Sequence, residues 1–184
     1  MYALVEDNAI TRIFTRPRGF TLGDVQYPQN IFSLWTKSEK EAIGIYEIEQ
    51  DNTNKKNEEW YTNTDVSYAF AGGKVTASYG TATAKAIEGL KTLKKAVFDR
   101  QAAQSLAKYD WYVIRNTEAG TAIPSAITDY RTAVRAKCNS MQSQVDGAAD
   151  VDALAALYVY VNTGTEESPV MEKPLGEWPT DPNG

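Results

Sequence analysis

Histidine and cysteine, the side chains that most often supply nucleophiles, bases and metal ligands, are nearly missing from this sequence. Its 184 residues include no histidine and one cysteine, Cys138. The lack of histidine removes the commonest general base and the commonest metal ligand near neutral pH. A single cysteine excludes intrachain disulfides and cysteine-based zinc or iron–sulfur sites. We therefore expect a binding or structural protein, not an enzyme, with no catalytic residue, no metal and no cofactor.

Carboxylates are the remaining side chains that could hydrolyse a substrate or hold calcium. Glu47 and Glu49 share one face of a predicted strand, and two suitably separated carboxylates can hydrolyse glycosides. A solvated face of a half-buried sheet explains the same pair more simply. Residues 51–59 are polar, but they lack the central glycine of a calcium loop and carry Lys55 at a ligand position. We reject the calcium site and keep a carboxylate enzyme only as an alternative.

Basic residues concentrate in residues 81–108, where such a helix face could contact phosphates. They are Lys85, Lys91, Lys94, Lys95, Arg100 and Lys108. The whole chain, however, has a net charge of −5, and no glycine-rich phosphate loop precedes a helix. A solvated helix face is the favoured interpretation, and nucleic-acid binding is an unfavoured alternative.

Arg131 lies at the edge of a predicted apolar helix stripe, and Arg135 follows one turn later. An arginine in that position usually lays its stem on apolar surface and pairs its head group with a carboxylate. Asp110, at the start of a neighbouring predicted helix, is the candidate partner. We expect these residues, together with Trp111 and Tyr130, mainly to hold the helices together.

The first eighty residues predict a β-rich module. Three clusters of turn residues, each flanked by short apolar runs, predict hairpins at 6–8, 23–24 and 71–73. Residues 38–41 match a Ser-x-x-Glu capping box, which predicts one short helix ending at Gly44. Residues 45–49 alternate apolar and polar side chains, as a strand does.

From residue 81 the apolar period changes to that of a helix. The first predicted helix covers 81–108, with its apolar stripe at Ala86, Leu90, Leu93 and Val97. Asp110 is the predicted N-cap of a short helix that stops near Gly120, and Asp150 begins another.

The strongest periodicity in the chain belongs to the helix that Pro124 begins. Its stripe comprises Ile127, Tyr130, Val134, Cys138, Met141 and Val145. Cys138 lies in the middle of this stripe, so we interpret it as a buried core thiol, since free cysteine behaves as a small hydrophobic residue.

The predicted fold class is therefore α+β. A β-rich N-terminal module covers 1–80, a helical module covers 81–161, and an extended C-terminal arm covers 162–184. The arm is rich in Thr, Glu, Pro and Gly, and it contains Trp178-Pro179. A tryptophan near a polar terminus either docks on its own domain or anchors a partner.

An ordered set of motifs runs along the chain. In the C-terminal half it comprises Asp110-Trp111-Tyr112-Val113-Ile114-Arg115, Gly120, Ile123-Pro124, Tyr130-Arg131-Thr132-Ala133-Val134-Arg135, and Trp178-Pro179 with Pro182. The N-terminal half adds Tyr27-Pro28, Trp35 and Ala42-Ile43-Gly44-Ile45. The C-terminal motifs resemble the tail-fibre assembly and tail assembly chaperone proteins of tailed bacteriophages, and this likeness covers about 81–135 and the last few residues. The N-terminal motifs are similar to those of small phage tail-associated proteins.

The resemblance implies a protein without catalysis whose partner is a phage tail-fibre, tail or baseplate protein. The alternative to a transient chaperone is a permanent structural component of the virion, and a homo-oligomer is left open. The expected location is the host cytoplasm during assembly, or the virion tail. We expect the partner to contact an aromatic surface formed by Trp35, Trp60, Tyr61, Trp178 and Pro179.

Neither a membrane span nor a signal peptide is expected. No apolar run approaches 18 residues, and the N-terminal stretch carries Glu6 and Asp7 without a basic region. The lone thiol fits a reducing cytoplasm.

Overall fold

Turn-forming residues divide the N-terminal part of the chain into short strands, most of them in antiparallel pairs. The computed structural model describes residues 1–183, and Met1–Thr83 form one compact unit of it. Its elements are β1 (Tyr2–Glu6), β2 (Ala9–Phe14), β3 (Phe20–Leu22), β4 (Val25–Tyr27), α1 (Ile31–Leu34), α2 (Lys37–Ala42), β5 (Ile45–Asp51), β6 (Tyr61–Thr62), β7 (Val66–Ala71) and β8 (Lys74–Tyr79). All three predicted hairpins form, as β1–β2, β3–β4 and β7–β8.

Residues in the left-handed backbone conformation explain why the chain reverses direction between these strands. Asp7 and Asn8, between β1 and β2, have φ of 51° and 63°, and Gly72 and Gly73, between β7 and β8, have φ of 57° and 74°. Two successive positive φ angles match the right-handed twist of a two-residue hairpin. Gly, Asn and Asp adopt positive φ angles at the least cost, and for this reason their positions in the sequence predict the hairpins correctly.

Five strands form one curled sheet in the order β2-β1-β5-β8-β7. The β5–β8 pair is parallel, with Ile48 opposite Val75, and the other pairs are antiparallel. The two outer strands of this order, β2 and β7, also contact each other. The sheet therefore curls until its edges approach.

Both faces of this sheet carry apolar residues. One face holds an aromatic cluster in which Phe14 contacts Phe20 and Phe32, with ring centroids 5.1 and 5.4 Å apart. The whole cluster comprises Leu4, Phe14, Phe20, Ile31, Phe32 and Ile45. The other face buries Ala3, Val5 and Val75 inside the curl. Strand β1 is therefore buried at consecutive positions and not at alternate ones.

The cap of α2 differs from the prediction. Thr36, not Ser38, is the N-cap: its hydroxyl accepts a hydrogen bond from the Glu39 N–H, and the Glu39 carboxylate accepts one from the Thr36 N–H at 2.8 Å. This is the same capping box placed two residues earlier, because Thr36 and Glu39 satisfy the spacing as well as Ser38 and Glu41 do.

The second compact unit begins at Ala84 and is mostly helical. The strand β9 (Thr83–Ala84) lies at the boundary, and the elements of the unit are α3 (Ile87–Ala107), α4 (Asp110–Ala119), α5 (Ser125–Gly147), α6 (Val151–Ala156), β10 (Val161–Asn162) and β11 (Met171–Glu172). The two long helices, α3 and α5, pack against each other. All six predicted stripe residues of α5 are buried.

The predicted stripe of α3 is wrong at three of its four positions. Ala86 is exposed and is the N-cap of α3. Leu93 is 65% exposed and Val97 is 41% exposed, whereas Leu90, Phe98 and Ala102 are buried. The buried face is rotated because lysines share it: Lys91 and Lys95 are half-buried, and both donate to Asp146. Their stems cover apolar surface while their ammonium groups reach polar atoms, so a count of apolar residues alone misplaces the face.

The α+β class is confirmed, with a β-rich N-terminal half and a helical C-terminal part. Residues 162–183, predicted as an extended arm, belong to the second compact unit, where β10 pairs with β11. Among residues 1–183, no helix combines the length and the apolar character needed to cross a membrane.

Candidate functional site

Arg131 joins the end of α3 to the start of α4. From α5 its guanidinium donates to the Leu106 carbonyl at 2.8 Å and to the Asp110 carboxylate at 2.9 Å. Leu106 lies in the last turn of α3, where a cation is favourable, and its carbonyl also accepts a hydrogen bond from the Tyr109 N–H at 3.0 Å. Asp110, predicted as an N-cap, is instead the first residue of α4, and its carboxylate serves Arg131. The Arg131 side chain is 11% exposed, so this contact is a structural staple.

An aromatic contact lies beside this staple. The buried rings of Tyr109 and Tyr130 meet edge to face, with centroids 5.6 Å apart. Arg135 is exposed and donates only to the Arg131 carbonyl, at 3.4 Å. Asp110, Tyr130 and Arg131 thus connect α3, α4 and α5, whereas the hydrogen bond of Arg135 lies within α5.

Trp111 does not share this role, contrary to the prediction. Its side chain is 49% exposed, and its ring lies 3.8 Å from that of its neighbour Tyr112. The Arg115 guanidinium carbon lies 4.7 Å from the Trp111 ring centroid, one helical turn further on. Trp111 is therefore oriented by its own helix and not by the core.

Helix α4 as a whole buries none of its residues. Besides Trp111, it exposes Val113 by 39% and Ile114 by 56%. Trp111 and Ile114 lie on one side of the helix, and we call this pair the α4 ridge. The sequence alone does not show that α4 is exposed. A short helix with apolar residues has the same sequence pattern whether or not a neighbouring element covers those residues.

Trp178 and Pro179, predicted to meet a partner, lie half-buried within the second unit. The Trp178 indole N–H donates to the Gln101 side chain on α3 at 3.2 Å. The ring lines a cleft of about 210 Å³ with Phe98 and Met141. Leu175, three residues earlier, is only 2% exposed. This end of the chain is thus part of the fold.

Asp181 fastens the same segment to the turn between α3 and α4. Its carboxylate accepts hydrogen bonds from the Tyr109 hydroxyl and from the Lys108 ammonium, the latter at 2.9 Å. These two donors, the Tyr109 hydroxyl first, lower the pKa of Asp181 from 3.8 to about 2. The Asp181 carboxylate in turn raises the pKa of Lys108 and that of Tyr109.

Acid is expected to release this C-terminal segment between pH 3.8 and about pH 2. Because the pKa of Asp181 is lower in the folded state, its stabilising contribution is complete above the unfolded pKa and disappears as the pH falls through the folded one. The NMR signal of the Trp178 indole N–H should shift over this window as its bond to Gln101 loosens. In Asp181→Asn that shift should be absent, and an identical titration in this variant would contradict the assignment.

The N-terminal aromatics predicted to bind a partner are largely inside their own unit. Trp60 is 5% exposed and Tyr61 is 8% exposed. Trp35 is half-buried against the aromatic cluster, where its ring meets that of Tyr27 edge to face at 6.0 Å. The expectation that these three residues form a partner surface is therefore corrected, because burial has already used their apolar area.

The other residues that the sequence singled out for possible chemistry are two glutamates and the cysteine. Glu47 and Glu49 are both exposed, and Glu49 pairs with Lys74 at 3.4 Å. Cys138 is buried, and burial, followed by the nearby Asp99 carboxylate, raises the pKa of its thiol. Within residues 1–183, no three Asp, Glu, Cys or His side chains converge as metal ligands would.

What the geometry offers is thus an exposed apolar ridge on a helix whose first residue, Asp110, pairs with the buried Arg131. Comparison with known proteins adds no relative: no family model, no curated protein and no solved structure matches this chain.

Proposed function

We propose that this chain is a non-enzymatic tail-associated protein of a tailed bacteriophage, which binds a tail-fibre, tail or baseplate protein and aids its assembly or attachment. The observation that carries the binding role is the α4 ridge, since a ten-residue helix with no buried residue presents Trp111 and Ile114 on one exposed side. Exposed apolar surface of this kind marks sites of protein–protein contact.

The chemistry of the ridge suits an interface centre. Tryptophan and arginine are the residues most enriched among those that dominate binding energy. Arg115 stacks on Trp111 and limits the motion of its ring, so less conformational entropy is lost when a partner covers it. Ile114 follows Trp111 by three residues, which places both on one side of α4.

The phage assignment is supported by the ordered motifs that resemble tail assembly proteins. In this chain the Asp-Trp pair has two separate tasks: Asp110 binds the buried Arg131, and Trp111 faces outward. The same motif therefore fixes a helix and presents its binding residue. A helix fixed in this way can bind a partner through Trp111 without a change in its own conformation.

Trp111→Ala is expected to weaken partner binding at least tenfold, since a central tryptophan commonly contributes about 2 kcal/mol or more. The free energy of unfolding should change by less than about 1 kcal/mol, because half of the side chain is already solvated. Binding would be measured by titrating the purified tail-fibre, tail and baseplate proteins of the same genome. Leu93→Ala, at a 65% exposed position of the same unit, is the matched control and should leave affinity unchanged.

Mass spectrometry of purified particles separates the two forms of the proposal. A transient chaperone should be missing from finished virions, whereas a permanent component should be present in a fixed ratio to the tail proteins. If none of the tail proteins bound the chain and particles also lacked it, the proposal would be wrong.

A further inference from the structure

Three arginines lie close together at the end of β2 and in the segment that follows it. They are Arg12, Arg16 and Arg18, and all three are exposed. We call them the arginine patch. Across residues 1–183 none of them forms an ion pair or a side-chain hydrogen bond, and the guanidinium groups of Arg12 and Arg18 lie over the ring of Phe14. Their hydrogen-bond donors are therefore available to a ligand.

Phe14 fixes the geometry of two of these groups. The guanidinium carbons of Arg12 and Arg18 lie 5.1 and 5.8 Å from its ring centroid, so they are at most about 11 Å apart. The ring itself is completely buried and held by Phe20 and Phe32. Pro17 fixes its own φ and disfavours a helical conformation at Arg16, so it restricts the backbone between Arg16 and Arg18. The patch is thus partly ordered before any ligand arrives.

The surrounding charge makes this patch distinctive. Residues 1–83 carry eight basic and eleven acidic side chains, so the unit is negative as a whole. Elsewhere in it, lysines such as Lys37 and Lys74 have carboxylate partners, Glu41 and Glu49. The arginine patch is a local concentration of unpaired positive charge on an acidic unit.

We propose that the arginine patch binds an acidic segment of a partner protein. The planar guanidinium group matches a carboxylate in a two-pronged contact, which lysine does not provide. An extended segment advances roughly 3.3 Å per residue, so acidic side chains two or three residues apart span the distance between Arg12 and Arg18. A duplex nucleic acid fits poorly, because three arginines can neutralise only a few phosphates and the negative unit opposes a polyanion.

The test uses the full chain and a fluorescent eight-residue peptide of alternating Glu and Gly, with binding followed by anisotropy at low and at physiological salt. Arg12→Gln/Arg16→Gln/Arg18→Gln should bind at least tenfold more weakly than the unsubstituted chain. Arg12→Lys/Arg16→Lys/Arg18→Lys, which keeps the charge and loses the fork, should be weakened about threefold or more. Circular dichroism of each variant confirms that it has folded.

The matched control is Lys37→Gln/Lys55→Gln/Lys74→Gln, which removes the same charge from the same unit and should bind as the unsubstituted chain does. An equal loss in this control would overturn the proposal, because net charge alone would then explain binding. Tighter binding of a DNA or RNA oligonucleotide of equal charge would overturn it in favour of a nucleic acid. Neither result bears on the α4 ridge, which these variants leave intact.

Discussion

Replacing Phe14 with alanine is expected to lower the free energy of unfolding of the N-terminal unit by about 3–5 kcal/mol. Phe14 is completely buried and contacts both Phe20 and Phe32. Its removal leaves a cavity that these packed rings cannot move far enough to fill. It also removes the surface on which Arg12 and Arg18 rest. Urea denaturation of the full chain, followed by the signal of the β-rich unit, measures the effect.

Tyr68→Ala provides the control for Phe14→Ala. Tyr68 is also an aromatic strand residue of the same sheet, but it is 37% exposed, so its removal should cost clearly less than that of Phe14. Comparable losses for the two variants would show that the aromatic cluster is not the centre of this unit.

Arg131→Met is expected to destabilise the helical unit by about 2–3 kcal/mol. Methionine keeps most of the apolar stem, so the loss reports chiefly on the guanidinium, which binds Leu106 and Asp110. A fully buried pair would lose more, but the Asp110 side chain is 56% exposed and water can replace Arg131 beside it. Chemical denaturation of the helical unit measures this change.

Arg135→Met is the matched control for Arg131→Met, since it makes the same substitution one turn later on the same helix at an exposed position. Its effect should stay within about 0.5 kcal/mol. Arg131→Lys should fall between the two, because lysine keeps the charge but its side chain ends one atom short of the guanidinium nitrogen that bonds both oxygens. Equal losses in the free energy of unfolding for Arg131→Met and Arg135→Met would show that the contacts of Arg131 do not hold the helices together.

Local signals in the sequence were enough to predict most of the elements. The hairpin turns follow from residues that tolerate positive φ, and the buried face of α5 follows from apolar spacing alone. The approach of Arg131 to Asp110 was also predictable, since an arginine at the edge of a stripe needs a carboxylate partner.

The exposure of tryptophans was not predictable, because it depends on contacts between residues distant in the sequence. Trp178 is covered because Gln101, some eighty positions earlier, lies beside it, and Trp111 is open because no element covers that side of α4. Both residues are tryptophans, so their intrinsic hydrophobicity is identical and does not reveal which one is covered. Trp111, expected in the core, is therefore 49% exposed, and Trp178, for which docking on its own domain was one of two alternatives, is half-buried.

The burial of β1 on both faces has a consequence for how its register is chosen. In a strand with one solvated face, slipping by one residue would expose the apolar side chains, and this penalty selects the register. In β1 the consecutive residues Ala3, Leu4 and Val5 are all buried, so a slipped pairing would still bury apolar groups. The choice then depends on the Asp7-Asn8 turn and on the irregularity between Leu4 and Val5. Two exposed polar residues thus specify the alignment of a core strand that its own side chains leave ambiguous.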